Sequence, residues 1–243
     1  MKAFILAAGK GTRLKPLTDE IPKALVKIND KTLLEINIMN LINFGIKDII
    51  INTWYLKDKI HNFIKQKNFF DINITFSDEP ELLDTGGAIL YASKYLLNED
   101  CFLVHNVDII SDININEMLK YHRLYSPIAT LAVSNRKSSR YLLFDNNLNL
   151  TGWSSINEIK SNIPLNNNLE HVKLSFSGIH IISNKIFNLI SNTGKFSIIE
   201  EYINIISKGH LIKGYIPKNN YWFDIGDSEK LARAKTFFSK HEI

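Results

Sequence analysis

The chain has 243 residues, of which 45% are hydrophobic and 22% charged, and its formal net charge is +4. That is enough chain for one sizeable core, and the composition excludes a disordered or low-complexity protein. The lysines are scattered rather than striped, which excludes a nucleic-acid footprint, and the mild positive bias reads as ordinary solubility that also suits small polyphosphates.

In chain order, residues 3–7 predict a short buried strand. The apolar run is too short for a secretory core region and passes into Gly9-Lys10-Gly11 without a cleavage pattern. Residues 33–44 predict a helix, with Leu34, Ile38, Leu41 and Ile42 on one face and Gly45 ending it. Residues 48–52 read as a strand, 56–64 as a helix, 72–76 as a strand, 86–96 as a helix and 101–105 as a strand. Cys101 opens that last strand and is the single cysteine, so an intrachain disulfide and a cysteine metal cluster are both excluded. The alternation predicts an α/β fold, a Rossmann-like three-layer arrangement around a mostly parallel sheet. Ligands in such sheets gather at the carboxyl ends of the strands.

From residue 128 the pattern changes to short antiparallel strands at 128–134, 140–144 and 149–153, with a turn at Asp145-Asn146-Asn147-Leu148. A polar stretch at 157–171 is expected to form a flap. A strand is expected at 174–182, helices at 183–191 and 197–208, and a final helix at 227–239 that Asp227 caps. No segment reaches membrane-spanning length, so the expectation is a soluble, cytoplasmic protein with no membrane and no nucleic acid among its partners.

The densest chemistry lies in Leu6-Ala7-Ala8-Gly9-Lys10-Gly11-Thr12-Arg13-Leu14-Lys15-Pro16-Leu17-Thr18, followed by Ile21-Pro22-Lys23. A strand delivers a loop whose glycines permit positive φ and close backbone approach. Its free N–H groups can cradle phosphate oxygens, while Arg13 and Lys23 add fixed and mobile positive charge. The loop is neither a Walker P-loop, lacking Gly-Lys-Ser/Thr, nor a Rossmann fingerprint, lacking the third spaced glycine. Taken whole, it resembles the signature of the nucleoside-diphosphate-sugar pyrophosphorylases, or sugar 1-phosphate nucleotidyltransferases. In that family Gly-x-Gly-Thr-Arg-x-x-Pro-Leu-Thr precedes Pro-Lys.

The resemblance runs along nearly the whole chain. In length and in Glu79 with Asp84-Thr85-Gly86-Gly87 it is most similar to N-acetylmuramate 1-phosphate uridylyltransferases and short mannose 1-phosphate guanylyltransferases. It implies one nucleotidyltransferase domain over 1–243, with a nucleotide-binding part at 1–127. The remainder, 128–243, holds a small inserted sugar-side lobe and the C-terminal helix. No hexapeptide repeats occur after that helix in these 243 residues, so the expectation disfavours the acetyltransferase-fused members. Arg13 and Lys23 are implied as catalytic. Leu6, Ala8, Gly9, Gly11, Thr12, Arg13, Glu79, Thr85, Gly86 and Asn106 are implied as nucleotide-binding. The glycines at 86 and 87 would let a helix N-terminus approach the ligand; the plain alternative is a helix start capped by Asp84 or Thr85.

His105-Asn106-Val107-Asp108 resembles the family's Asn-Gly-Asp, with Val107 in place of the glycine. Trp222-Phe223-Asp224-Ile225-Gly226 resembles its tryptophan-x-aspartate-x-glycine motif. Asp108 and Asp224 are thereby implied as ligands of Mg2+, a hard cation that takes carboxylate oxygens and bridges phosphates. His105 is more simply a structural residue of its apolar strand than a base or ligand. On the sugar side, Ser177, Gly178 and Glu200 are implied as contacts. Arg140 and Lys173 are candidates for gripping the sugar phosphate, or else solvated surface charges. The implied partners are an NTP and a sugar 1-phosphate, and the residues specify no oligomeric state. Two alternatives stand beside this reading. One is a phosphocholine cytidylyltransferase of the same fold, with Tyr141, Trp153 and Trp222 as an aromatic cage; the other is a non-catalytic nucleotide-sugar sensor.

Overall fold

The computed structural model describes residues 1–155, 159–161 and 171–241. Most of the expected flap, 157–158 and 162–170, lies outside the described residues. In chain order the elements are β1 (Ala3–Leu6), α1 (Leu17–Glu20), β2 (Lys27–Ile28), β3 (Lys31–Thr32), α2 (Leu33–Asn43), β4 (Asp48–Thr53) and α3 (Lys57–Gln66). Next come β5 (Asn73–Asp78), α4 (Asp84–Tyr91), α5 (Ser93–Leu96), β6 (Cys101–Asn106), β7 (Ile109–Ser111) and α6 (Ile115–Tyr125). The second half holds β8 (Ala129–Ser134), β9 (Arg140–Phe144), β10 (Leu150–Ser155), β11 (Ile159–Ser161) and β12 (Val172–Ser183). It closes with α7 (Ile198–Ser207), β13 (Ile212–Tyr215), β14 (Trp222–Asp224) and α8 (Ser228–Phe238). Among the described residues no helix is long and apolar enough to cross a membrane.

Two compact units divide the chain. The first comprises Met1–Leu82, Val104–Ile113 and Asn219–Ile243. Its strands run in the order β6-β1-β4-β5, with β1 to β4 and β4 to β5 parallel, and Phe4, Ile5, Ile49 and Ile51 are buried along them. Near-continuous apolar strands are what a sheet covered on both faces requires. Helix α2 starts where the Thr32 hydroxyl accepts the Glu35 N–H at 3.1 Å, and ends in a left-handed Gly45 whose N–H reaches the Ile42 carbonyl.

A second apolar cluster in this unit gathers Leu14, Val26, Ile28, Leu33, Ile110, Ile225 and Phe238 from the first loop, β2, α2, β7, the residue after β14, and α8. Burying a side chain of this size contributes about 1.5–3 kcal/mol.

The second unit, Leu83–Leu103 with Asn114–Lys218, is largely antiparallel. Its long β12 pairs with β8 and β9, β9 with β10, β10 with β11, and β13 joins β8 in parallel. Between Phe176 and His180, four steps of β12 run against two of β8, and Gly178 at φ 78° supplies the left-handed residue of this bulge. A Cβ on Gly86 would lie 2.3 Å from the Phe196 ring and one on Gly87 2.2 Å from the Gly194 carbonyl oxygen, so both glycines serve the packing of α4.

Several expected elements are corrected. The helix expected at 86–96 is two, α4 and α5, and that expected at 183–191 is one 3-10 turn, Asn184–Asn188. Helix α6 and strands β7, β13 and β14 carry no expectation from sequence. Helix α6 buries Ile115, Met118 and His122 while leaving Leu124 74% exposed, so its apolar pattern has no clean helical period.

Two buried histidines set an acid limit on this fold. His105 is surrounded by apolar strand, and His122 shares a 2.9 Å hydrogen bond between its Nδ1 and the Thr130 hydroxyl. Burial lowers each imidazole to about 4. Unfolded, each takes a proton below pH 6.5; folded, only near 4, so between these values the unfolded chain binds more protons. Stability is therefore complete above pH 6.5 and falls as pH drops toward 4, by about 3 kcal/mol for His105 alone. Urea unfolding midpoints from pH 7 to 4.5 check this: a flat series contradicts it.

Candidate active site

Strand β1 ends at Leu6 and the chain turns at once under the control of a buried amide. Asn52 Oδ1 accepts the Ala7 N–H at 2.5 Å and the Ala8 N–H at 3.3 Å, and Asn52 Nδ2 donates to Glu79 Oε1 at 2.6 Å. Both Asn52 and Glu79 are buried. Glu79, implied as nucleotide-binding, uses that oxygen to orient the residue that starts the loop. Asn52 itself was not singled out from sequence; the signal is a lone asparagine in the apolar strand Asp48-Ile49-Ile50-Ile51-Asn52.

Gly11 has φ 64°, and a Cβ there would meet Lys23 Cβ and Thr18 Cγ2, each at 3.0 Å. The Thr18 hydroxyl donates to the Gly11 carbonyl at 2.8 Å, and the Tyr55 hydroxyl donates to the Thr18 carbonyl at 3.0 Å. The loop is thus folded against the segment that carries Lys23. Gly9, Lys10, Thr12 and Arg13 remain exposed, Leu6 is half-buried, and Ala8 is buried.

The two aspartates come together across one antiparallel pair. Asp224 of β14 lies opposite Ile109 of β7, and the Ile225 N–H donates to the Asp108 carbonyl at 2.8 Å. The Lys23 ammonium donates to the Asp108 carboxylate, and Lys230 Nζ donates to Asp224 Oδ2 at 2.7 Å. A Cβ on Gly226 would lie 2.9 Å from both Arg13 Nη2 and Asp224 Oδ1, so guanidinium and carboxylate flank one glycine. Asp227 caps α8 as expected, accepting the Lys230 N–H at 2.9 Å. That bond, with the Lys230 and Arg13 charges, holds its carboxyl below the usual range.

Partly exposed, all-oxygen donors from Asp108 and Asp224 fit a hard divalent cation that also binds substrate phosphates. Among the described residues no group of three or more His, Cys, Asp or Glu forms a metal cluster. Val107 fits where the family's glycine stands: its side chain is buried, its N–H donates to the Leu6 carbonyl at 3.1 Å, and its carbonyl accepts from Asn37 Nδ2 at 2.8 Å. Asn106 closes β6, and its carbonyl lies 2.9 Å from His105 Nδ1. With its imidazole buried and lowered to about 4, His105 stays neutral near pH 7 and is structural.

The second unit holds a cavity of about 760 Å³ that includes Arg140 and Tyr141 of β9, Trp153 of β10, Phe176 of β12 and Glu200 of α7. Arg140 and Glu200 both line this cavity. Lys173 is exposed, Ser177 is buried, and Gly178 serves the bulge; none of the three lines this cavity. Thr85 and Gly86 are likewise engaged inside the unit. The Thr85 hydroxyl accepts the Ile198 N–H at 3.0 Å, and the Gly86 and Gly87 N–H groups donate to the Phe196 carbonyl at 2.9 and 3.3 Å. At the start of α4 the Asp84 carboxylate accepts the Thr85 N–H at 2.6 Å.

Known proteins resemble this chain in sequence and in fold. The chain is 32% identical over 233 residues to the bifunctional protein GlmU of Methanocaldococcus jannaschii, a match covering 93% of this chain and 51% of that protein. It is 35% identical over 144 residues to a mannose-1-phosphate guanyltransferase of Gibberella zeae, covering 58% of this chain and 40% of that one. The chain thus spans about half the length, or less, of these curated relatives. HddC from Yersinia pseudotuberculosis, solved with GMP-PN, superposes with a TM-score of 0.78 at 25% identity, covering 98% of this chain and 99% of that one. A putative glucose-1-phosphate thymidylyltransferase from Bacillus anthracis shares the fold at a TM-score of 0.83 and 19% identity, covering 100% and 97% of the two chains. The sequence model of the nucleotidyl transferase family matches residues 2–241, and the chain belongs to that family.

Proposed function

We propose that this chain transfers a nucleotidyl group from an NTP to a sugar 1-phosphate, in the cytoplasm, yielding a nucleotide-sugar and pyrophosphate. The observation that carries the reading is the grouping in one unit of the exposed 9–13 loop, Lys23 on Asp108, and Arg13 beside Asp224. A phosphate oxygen of the acceptor forms a bond to the α-phosphorus as the bond to pyrophosphate breaks. The acceptor oxygen is already ionised, so no general base is needed, in keeping with a buried, neutral His105.

Catalysis then rests on position and charge. Loop N–H groups from Gly9 to Thr12, with Leu6, Ala8 and Asn106 behind them, bind the nucleotide. Arg13 stabilises the departing pyrophosphate, and Lys23 exchanges Asp108 for the α-phosphate. Asp108 and Asp224 would hold Mg2+, which supplies charge neutralisation across the phosphates when bound. Glu79, Thr85 and Gly86 serve the nucleotide by fixing backbone rather than by touching it. On the acceptor side Arg140 takes the phosphate and Glu200 a hydroxyl. The guanyltransferase names among relatives and the GMP-PN complex of HddC support GTP as the first donor to try. Phosphocholine is not favoured, because the similar proteins are named for sugar 1-phosphates such as mannose 1-phosphate and glucose 1-phosphate.

Pyrophosphate release from GTP, UTP, CTP and dTTP against a panel of sugar 1-phosphates tests the reaction; release with one donor–acceptor pair is expected, and silence from folded protein across the panel would sink it. Lys23→Ala should lower kcat by about 10²–10³-fold with the far-ultraviolet spectrum unchanged, because it removes charge where charge develops. Wild-type turnover in that variant removes Lys23 from the mechanism. Arg140→Ala should raise KM for the sugar 1-phosphate while leaving KM for the NTP unchanged; a reversed pattern would reassign the cavity.

A further inference from the structure

We propose that Lys230 sets how tightly the site holds a divalent cation, its ammonium being an internal counter-charge on Asp224 that an incoming cation must displace. This rests on the reading of Asp108 and Asp224 as the cation's ligands. Lys230 is the third residue of α8, and its own N–H is taken by the Asp227 cap at 2.9 Å. From there the side chain runs back past the cap, placing Nζ 2.7 Å from Asp224 Oδ2 and 3.7 Å from Asp227 Oδ2. The first turn of a helix is the positive end of its dipole and favours acidic residues, such as the neighbouring Glu229. A lysine held there needs compensation, and the two carboxylates provide it.

Each carboxylate therefore carries an ammonium: Lys23 on Asp108 and Lys230 on Asp224. The two lysines differ in where they can go. Lys23 is 12% exposed and lies against the nucleotide loop, so a phosphate must receive it. Lys230 is 40% exposed, so solvent can receive it. A bare cation must compete with both, whereas a cation arriving with polyphosphate brings the charge that releases Lys23. Weak binding of free metal and strong binding of the metal–nucleotide complex follow, and Lys230 fixes the first of these.

The test is Mn2+ binding without nucleotide, read from the electron paramagnetic resonance signal of the free ion. Lys230→Met should bind Mn2+ about tenfold more tightly than the wild type, through loss of one cation a few ångströms away. Lys230→Arg should keep the weak wild-type affinity. Adding Asp224→Asn to Lys230→Met should abolish the gain. An unchanged affinity in Lys230→Met overturns the role of Lys230 alone. A gain that survives Asp224→Asn overturns Asp224 as a ligand, and the proposal with it. Because Lys230 reaches solvent, its replacement leaves the core intact, and a melting temperature close to wild type confirms that the comparison is between folded proteins.

Discussion

Burial of the apolar residues that flank the charged ones is the constraint on which the first unit depends. Leu14 follows Arg13, Ile225 follows Asp224, and Ile110 lies two residues beyond Asp108; all three are buried in one cluster with Val26, Ile28 and Phe238. Each such side chain contributes about 1.5–3 kcal/mol, whereas a partly exposed ion pair is worth roughly 0–1 kcal/mol. The charges therefore do not assemble the site by attracting one another. They are carried into place by neighbours that leave water, and the ion pairs between them are weak enough to exchange partners when a ligand arrives.

The same division explains the glycines. Gly11 and Gly226 keep side chains apart from groups that bear charge: Lys23 at one, Arg13 and Asp224 at the other. Gly86 and Gly87 look equally functional in sequence, yet the room they leave is filled by Phe196 and Gly194. A glycine's type says that space is needed there, and only the tertiary neighbour says for what.

Much of the first unit was legible in the sequence because its signals are local. The strand at the N-terminus, the helix that Gly45 ends and the Asp227 cap each rest on residues close to one another in the chain. The alternation of strands and helices likewise pointed to the α/β fold. What was not legible depends on distant partners. The bond from Asn52 Nδ2 to Glu79 Oε1 joins residues 27 apart, and no local pattern announces it. Lys230 carries no expectation from sequence, and its carboxylate partner Asp224 lies on β14. Short β7, β13 and β14 have too few residues for alternation to register, and α6 exposes large apolar side chains that blur its period. On the sugar side, Arg140 and Glu200 meet in one cavity while Lys173 does not, a distinction that strand register decides and composition cannot.

The most direct test of this account is the steady-state rate of pyrophosphate release by Gly226→Ala, measured beside its melting temperature. An added Cβ would fall 2.9 Å from both Arg13 Nη2 and Asp224 Oδ1, and both groups can swing aside without disturbing the apolar cluster behind them. The account predicts a melting temperature close to wild type with turnover reduced at least tenfold, since the paired placement of guanidinium and carboxylate is lost. Wild-type turnover in a folded Gly226→Ala protein would contradict it, showing that the close setting of Arg13 and Asp224 is not what the first unit is built to provide.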